Sequence, residues 1–280
     1  MMAKYLMLNG EILPASKPCL SHLNRGLLYA DDFSFDMRGN SSKAFFADRY
    51  FEYFIRTMSI LKMEKPLLLK KSIFETDMEL LLQKNRIYKG FTAKISVFRN
   101  DSEDFITDNN TTSILISVNS YPEESYQALK IGLKVDVLKN YSVPDHVFNS
   151  GFTPYFCEEM FLNSHLDEFG LDELFISNSK SNIVKTISSN LFLVKDNKLF
   201  VPESIPENSN KIFSEIVIDA ARSLKVLVFP KSIKKEDLLT AEEIFCADVK
   251  NGIRWVLAYR ERRYYQKLSS ALIKKINEIV

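Results

Sequence analysis

Apolar residues recur along this chain with two different periods, and this change of period limits the possible folds more than any other feature. Between Phe46 and Met63 they recur every three or four positions, which predicts an amphipathic helix. The segment Phe91–Phe98 alternates with a period of two, and Thr112–Val118 is an apolar, β-branched run, so both predict strands. A chain with both patterns is expected to have an α/β (α+β) fold.

The same two patterns continue on either side of these segments. Asn9-Gly10 lies between two short apolar runs and predicts a β-hairpin near the N-terminus. Further helices are predicted over residues 71–83, 155–169 and 212–224, and further strands over residues 129–138, 173–176, 190–194 and 198–201 and near Val226 and Ile244.

The segment 119–125 has the sequence Asn-Ser-Tyr-Pro-Glu-Glu-Ser and separates two predicted strands. Proline and acidic residues are typical of a connection rather than of a strand. We therefore expect a linker at residues 122–125, between an N-terminal α/β lobe of residues 1–121 and a C-terminal lobe of residues 126–280. A chain of 280 residues is long enough for each lobe to bury a core of its own.

Charge and cysteine content argue against several classes of function. The chain has 37 basic and 36 acidic residues, so neither nucleic acid nor an anionic membrane is expected as a partner. Its N-terminal apolar run is too short for a signal peptide or a membrane span. The three cysteines, Cys19, Cys157 and Cys246, are odd in number and far apart, which favours a reducing, cytoplasmic compartment. The three histidines lack metal-ligand spacing, and no metal site is predicted.

Five segments follow one another along the chain in a recognisable order. They are the hairpin Leu8–Ile12, the run Asn24–Asp32, the segment Gly170–Leu174, the run Ser188–Val194, and the helix 212–224 with the segment Leu238–Phe245 after it. In this order and at these distances they resemble class IV (fold-type IV) aminotransferases, a family that includes branched-chain and D-amino-acid aminotransferases and aminodeoxychorismate lyase. The Ser-Ser-Asn-Leu-Phe sequence at residues 188–192 is the most specific match.

The resemblance implies a D-amino-acid-aminotransferase-like fold with a small N-terminal α/β lobe and a barrel-like C-terminal lobe. It also implies a homodimer and a cofactor, pyridoxal phosphate (PLP), held in the cleft between the lobes. PLP chemistry needs a lysine that forms a Schiff base, a carboxylate paired with the pyridine nitrogen, and donors for the phosphate. The motifs locate the position of each of these groups in this chain.

Two of these positions hold residues that do not suit PLP. The Schiff-base lysine corresponds to Phe152, and the sequence has no lysine between Lys139 and Lys180. The carboxylate that pairs with the pyridine nitrogen corresponds to Lys185. A cation there opposes protonation of the pyridine nitrogen, so the ring would no longer act as an electron sink.

The positions for the phosphate group are also altered. The family's arginine on the first-lobe helix corresponds to Tyr53, the turn that opens the later helix to Lys211-Ile212-Phe213, and the last phosphate-side loop to Asp248-Val249. A carboxylate in that loop would repel a phosphate. With two serines of the specific motif, the candidate pocket comprises Tyr53, Phe152, Lys185, Ser188, Ser189, Lys211, Ile212, Phe213, Asp248 and Val249.

These departures favour a class IV aminotransferase homologue that has lost the PLP lysine and has a binding or regulatory role. No catalytic residue and no cofactor are predicted, and a small molecule or an anion is the expected ligand of the cleft. The alternative is an active PLP-dependent aminotransferase or aminodeoxychorismate-lyase-like enzyme that uses Lys185 as a relocated lysine. A third hypothesis is an enzyme that uses the same cleft without a cofactor.

Overall fold

The computed structural model describes residues 3–66, 70–102, 104, 108–143, 156–203 and 209–280. Contacts divide them into two compact units, called here unit 1, which ends at Ser125, and unit 2, which begins at Tyr126. Within the described ranges, none of the helices has both the length and the apolar character needed to cross a bilayer.

Among the described residues of unit 1, six strands form one antiparallel sheet. They are β1 (Tyr5–Leu8), β2 (Glu11–Pro14), β3 (Asp32–Asn40), β4 (Lys43–Ala44), β5 (Phe91–Arg99) and β6 (Thr112–Ser120), in the order β2-β1-β6-β5-β3-β4. The helices of unit 1 are α1 (Arg25–Tyr29), α2 (Ala47–Ile60) and α3 (Thr76–Lys84), with a 3-10 turn at Lys71–Phe74. The predicted hairpin is present, because β1 and β2 pair directly on either side of Asn9-Gly10.

The period-two pattern of β3 explains how α2 packs on this sheet. Phe33 and Phe35 are two residues apart, so they lie on the same face of the sheet, and both are buried. The ring of Phe35 stacks on Tyr50 of α2 with 5.7 Å between centroids, and Phe33 lies 6.0 Å from Phe54 of the same helix. Tyr50 and Phe54 are one helical turn apart, so a single face of α2 covers this face of the sheet.

Unit 2 contains the longer sheet. Its described strands are β7 (Leu133–Val143), β8 (Glu173–Asn178), β9 (Ile183–Thr186), β10 (Asn190–Lys195), β11 (Lys198–Pro202), β12 (Leu227–Lys231), β13 (Glu243–Asp248), β14 (Gly252–Tyr259) and β15 (Arg262–Arg263). They lie in the order β12-β11-β10-β13-β14-β7-β8-β9, and β15 pairs with β14. The described helices are α4 (Phe156–Phe169), α5 (Ser209–Ser223), α6 (Lys235–Thr240) and α7 (Leu268–Asn277).

The two ends of the unit 2 sheet approach each other. The backbone N–H of Ile183, at the start of β9, donates to the carbonyl of Ile233, two residues beyond β12, at 2.7 Å. Since β9 and β12 are the outermost strands in the sheet order, this contact gives the barrel-like arrangement that the resemblance implies. The enclosed core includes Phe175, Ile244 and Val256, which are fully buried.

The predicted elements are largely present, with ends that differ by a few residues. The helices predicted over 46–63 and 212–224 are α2 and α5, and the strand predicted over 129–138 begins only at Leu133. The prediction of one continuous helix over residues 71–83 is wrong, because the structure has a 3-10 turn followed by the separate helix α3. Glu75 has φ −117° and ψ −88°, a non-helical conformation that separates the 3-10 turn from α3. Residue 155, where a helix was expected to begin, lies outside the described residues, and α4 begins at Phe156.

Candidate functional site

Three buried polar residues and a partly buried arginine of unit 2 meet through their side chains. Glu173 begins β8, Asp248 ends β13, Arg254 lies on β14, and Ser189 immediately precedes β10. The Nη2 group of Arg254 donates to Glu173 Oε2 at 3.0 Å and to Ser189 Oγ at 2.8 Å, and lies 3.5 Å from Asp248 Oδ2. We call these four residues the charge cluster.

The charge cluster holds two carboxylates and one guanidinium in a poorly solvated place. Burial raises the pKa of the Glu173 carboxyl, although Arg254 and the backbone N–H groups of Ile187 and Leu174 act in the opposite direction. Burial acts to lower the pKa of Arg254, but the carboxylates of Asp248 and Glu173 outweigh it and raise that pKa. The positive charge of Arg254 is therefore compensated within the cluster.

The loop after β13 is folded around the Asp248 carboxylate. Its Oδ1 atom accepts hydrogen bonds from the backbone N–H groups of Lys250 at 3.0 Å and Asn251 at 2.8 Å. Its Oδ2 atom accepts a hydrogen bond from Ser189 Oγ at 2.8 Å. Such a turn is a usual conformation for an aspartate that bonds to the backbone two and three residues ahead. Two backbone N–H groups of the loop are thus already hydrogen-bonded to Asp248.

Tyr126 packs on two predicted pocket residues of unit 2, Val249 and Phe213. Its hydroxyl donates to the carbonyl of Val249 at 3.0 Å, and its ring centroid lies 5.3 Å from that of Phe213. Gly252 makes this contact possible, since its φ is +73° and a Cβ atom there would lie 2.4 Å from the Tyr126 ring. Phe213, Ile212 and Val249 are all buried.

Lys185 lies on β9, half-buried, opposite Ile176 of β8. The chain then turns from β9 into β10, and the backbone N–H of Ser189 donates to Thr186 Oγ1 at 2.9 Å. Thr186 is fully buried and its own hydroxyl donates back to the Ser189 carbonyl at 3.1 Å. This short turn sets the positions of Ser188 and Ser189 relative to the strand that carries Lys185.

The structure brings some of the predicted pocket residues together and not others. Ser189 and Asp248 are hydrogen-bonded, and Phe213 and Val249 both contact Tyr126. Lys211 is half-buried at the start of α5.

Two further predicted pocket residues are Tyr53 and Phe152. Tyr53 belongs to unit 1, where it is buried and packs edge to face on Phe35 with 5.7 Å between centroids, as a member of the aromatic core. Phe152 lies outside the described residues.

The sequence patterns do not identify Glu173, Arg254 or Tyr126 as residues of this region. The one available signal is Arg254, a single charge inside the otherwise apolar strand Gly252–Tyr259. A charged residue in such a strand is rarely buried unless it is paired. Its partners could not be found from the sequence, since Glu173 is 81 residues away.

Among the described residues of unit 1, the carboxyl group of Asp32 has a shifted pKa. Asp32 begins β3, and burial raises its pKa to about 6, with a further rise caused by Asp31 and an opposing effect of Lys94. The neighbouring Asp31 forms ion pairs with Arg25, at 2.8 Å, and with Arg99. The two adjacent aspartates therefore have different environments, one paired with arginines and the other partly desolvated.

A model of the class IV amino-transferase family matches residues 36–258 of this chain. A protein of Rickettsia bellii described as a "probable branched-chain-amino-acid aminotransferase" is 22 % identical over 237 residues, which cover 84 % of this chain and 80 % of that protein.

Solved structures share the fold at low identity. The branched-chain aminotransferase of Thermoproteus uzoniensis, solved with norvaline, has a TM-score of 0.85 at 16 % identity and covers 98 % of this chain and 93 % of its own. The enzyme of Thermobaculum terrenum, solved in its PLP form, has a TM-score of 0.83 at 15 % identity and covers 99 % and 94 %. The fold that the sequence motifs predict, with an α/β N-terminal part and a barrel-like C-terminal part, is therefore confirmed.

Proposed function

We propose that this chain, which belongs to the class IV aminotransferase family, does not transaminate and has a binding or regulatory role on the family fold. One observation carries the proposal: the sequence has no lysine between Lys139 and Lys180. The resemblance places the Schiff-base lysine in this interval, at Phe152. PLP-dependent transamination needs a primary amine there, first to hold the cofactor and then to move the substrate proton.

The groups around the expected ring-nitrogen position support the proposal. Lys185 replaces the carboxylate that would stabilise a protonated pyridine nitrogen. The ammonium group of Lys185 and a protonated pyridine nitrogen would repel each other at a distance of a few ångströms in a half-buried place. The pyridine nitrogen would then stay unprotonated, and a bound PLP would lose its electron-sink character.

The groups around the expected phosphate position also support it. Asp248 brings a negative charge into the loop, and its carboxylate already accepts from Ser189 Oγ and from the backbone N–H groups of Lys250 and Asn251. The nearby guanidinium of Arg254 is paired with Glu173 and Asp248. A phosphate dianion would have to displace these contacts and would face the repulsion of two carboxylates. By this test the donor set does not fit PLP.

We further propose that the chain works as a cytoplasmic homodimer. Helix α1 of unit 1 exposes three consecutive large apolar residues, Leu27, Leu28 and Tyr29, of which Leu27 is 70 % exposed. Several large apolar side chains exposed on one short helix favour contact with another protein surface. Cys19 and Cys246 are both free thiols, which agrees with a reducing compartment.

The alternative, a PLP enzyme that uses Lys185, is favoured by one feature. This lysine lies on β9. The turn that follows β9 carries Ser188 and Ser189, which belong to the family's most specific motif. The amine of Lys185 is therefore the candidate for a Schiff-base lysine at a new position in the chain. The alternative therefore predicts a covalent adduct on Lys185 itself.

Absorption spectroscopy and chemical trapping separate the two. The purified chain is titrated with PLP, its thermal unfolding is recorded, and the mixture is reduced with borohydride before peptide mapping, with Lys185→Ala as the matched variant. We expect a colourless protein, no midpoint shift and no PLP-modified lysine at stoichiometric yield. A stoichiometric yellow adduct that Lys185→Ala abolishes would establish the alternative and refute the proposal.

A further inference from the structure

Helix α4 and strands β7 and β8 of unit 2 enclose an apolar cavity of about 620 Å³. Its walls include Leu138 of β7, Phe161, Leu162 and Phe169 of α4, and Leu174 of β8. Phe161 and Phe169 are each 60 % exposed, although large aromatic side chains are usually covered. The volume lies within the range of about 300–1,000 Å³ that is typical of small-molecule sites.

A second cavity of about 450 Å³ continues the first, because Leu138, Lys139 and Tyr141 line both. Beyond these shared residues its walls are polar and carry hydroxyl groups and a second lysine, as at Ser177 and Lys235. Together the two cavities form one groove with an apolar half and a polar half. None of the described residues of the candidate cofactor pocket lines it.

The polar half of the groove has positive charge without a partner. Among the described residues, neither Lys139 nor Lys235 has a carboxylate within ion-pair distance. The acid among the described wall residues, Asp136, lies at the apolar half and is paired with Arg260 at 3.3 Å. The charge of the polar half therefore complements an anion.

A buried hydroxyl gives an independent indication of a ligand. Ser177 lines the polar half, is only 8 % exposed, and its Oγ atom has no hydrogen-bond partner among the described residues. A buried hydroxyl without a partner costs free energy, and such groups are rare in folded proteins. The Oγ atom has almost no accessible surface in the free protein, so its side chain must rotate toward the groove before a polar ligand atom can satisfy it.

We propose that this groove binds a free single-chain amphiphile with an anionic head group, of the fatty-carboxylate class. The hydrocarbon tail lies against Phe161, Leu162 and Leu174, and the carboxylate accepts hydrogen bonds from Lys139, Lys235 and Ser177. This proposal does not rest on the proposed loss of PLP binding.

Calorimetric titration of the full chain with decanoate, below its micelle concentration, tests the proposal. We expect one decanoate per chain and about fourfold tighter binding for each methylene added from octanoate to dodecanoate. Lys139→Gln with Lys235→Gln should weaken binding about 3- to 10-fold, because two charge interactions are lost. The matched pair Lys198→Gln with Lys274→Gln, both exposed lysines of unit 2 outside the groove, should leave affinity unchanged.

Ser177→Ala gives a readout that a merely structural role would not produce. Since its hydroxyl has no partner among the described residues, the variant should unfold at the same temperature or a higher one, yet bind decanoate more weakly. Three outcomes would overturn the proposal: no heat with decanoate, equal affinity for decyltrimethylammonium, or sedimentation of the chain with phosphatidylglycerol vesicles while free decanoate does not bind. Loss of a dimer in Phe161→Ser, measured by light scattering, would also overturn it by showing that a second copy covers the groove.

Discussion

Unit 2 contains two groups of charged side chains that differ in how their charges are compensated. In the charge cluster, Arg254 is shared between Glu173, Asp248 and Ser189, and the acids and the serine are at most 5 % exposed. In the groove, Lys139 and Lys235 have no carboxylate partner within the part of the chain that the structure describes. Charges that are buried and mutually bonded maintain a structure, whereas charges left unpaired beside a cavity are available to a ligand.

The largest expected effect comes from breaking the charge cluster. Arg254→Met would leave the Glu173 and Asp248 carboxylates buried without their cation, and should lower the free energy of unfolding by about 3–5 kcal/mol. Urea denaturation followed by circular dichroism measures this. Arg260→Met is the control, since its ion pair with Asp136 is about half-exposed and should cost less than about 1 kcal/mol. Equal losses of unfolding free energy in Arg254→Met and Arg260→Met would contradict the distinction between the buried charge cluster and an exposed ion pair.

Asp32 of unit 1 offers an intermediate case, a carboxyl that is only partly buried. Because its pKa is raised to about 6, the folded chain holds a proton there that the unfolded chain releases near the ordinary aspartate pKa of 3.8. Stability should therefore fall as pH rises from about 4 to about 6, and stay lower above it. Asp32→Asn should remove this slope and stabilise the chain at neutral pH by about 1 kcal/mol, after allowance for partial solvation.

Thermal or urea unfolding between acid and neutral pH tests this, with Asp101→Asn as an exposed control. A slope in the Asp32→Asn variant equal to that of the unaltered chain would show that other groups cause it.

The smallest expected effect on stability belongs to the groove. Removing an unpaired, solvated lysine breaks no contact, so Lys139→Gln should change the free energy of unfolding by no more than about 0.5 kcal/mol in either direction. The same urea titration used for Arg254→Met measures it. A loss comparable to that of Arg254→Met would mean that Lys139 has a structural partner, and the contrast between the two regions would fail.

Much of the fold follows from local patterns in the sequence. The periods of two and of about 3.6 residues locate α2, α5, β5 and β6, because a residue's side of a strand or helix depends only on near neighbours. The missing lysine between Lys139 and Lys180 is likewise a property of the sequence alone.

Other elements could not be predicted because their patterns are weak or interrupted. Strand β14 is buried on both faces over much of its length and therefore lacks alternation, and Arg254 breaks its apolar run. The turn at Glu75 depends on a single backbone conformation that no residue type in the segment demands.

The sequence by itself determined the family resemblance, the mixed α/β class, and the residues at the positions where PLP would be held. The tertiary structure alone decided which side chains are paired with one another. Arg254 meets Glu173 across 81 residues, and Tyr126 meets Val249 across 123. The orphan hydroxyl of Ser177 likewise depends on what surrounds it. Hydrogen bonds and ion pairs act over a few ångströms, so which residues form them depends on how the chain folds rather than on their order along it.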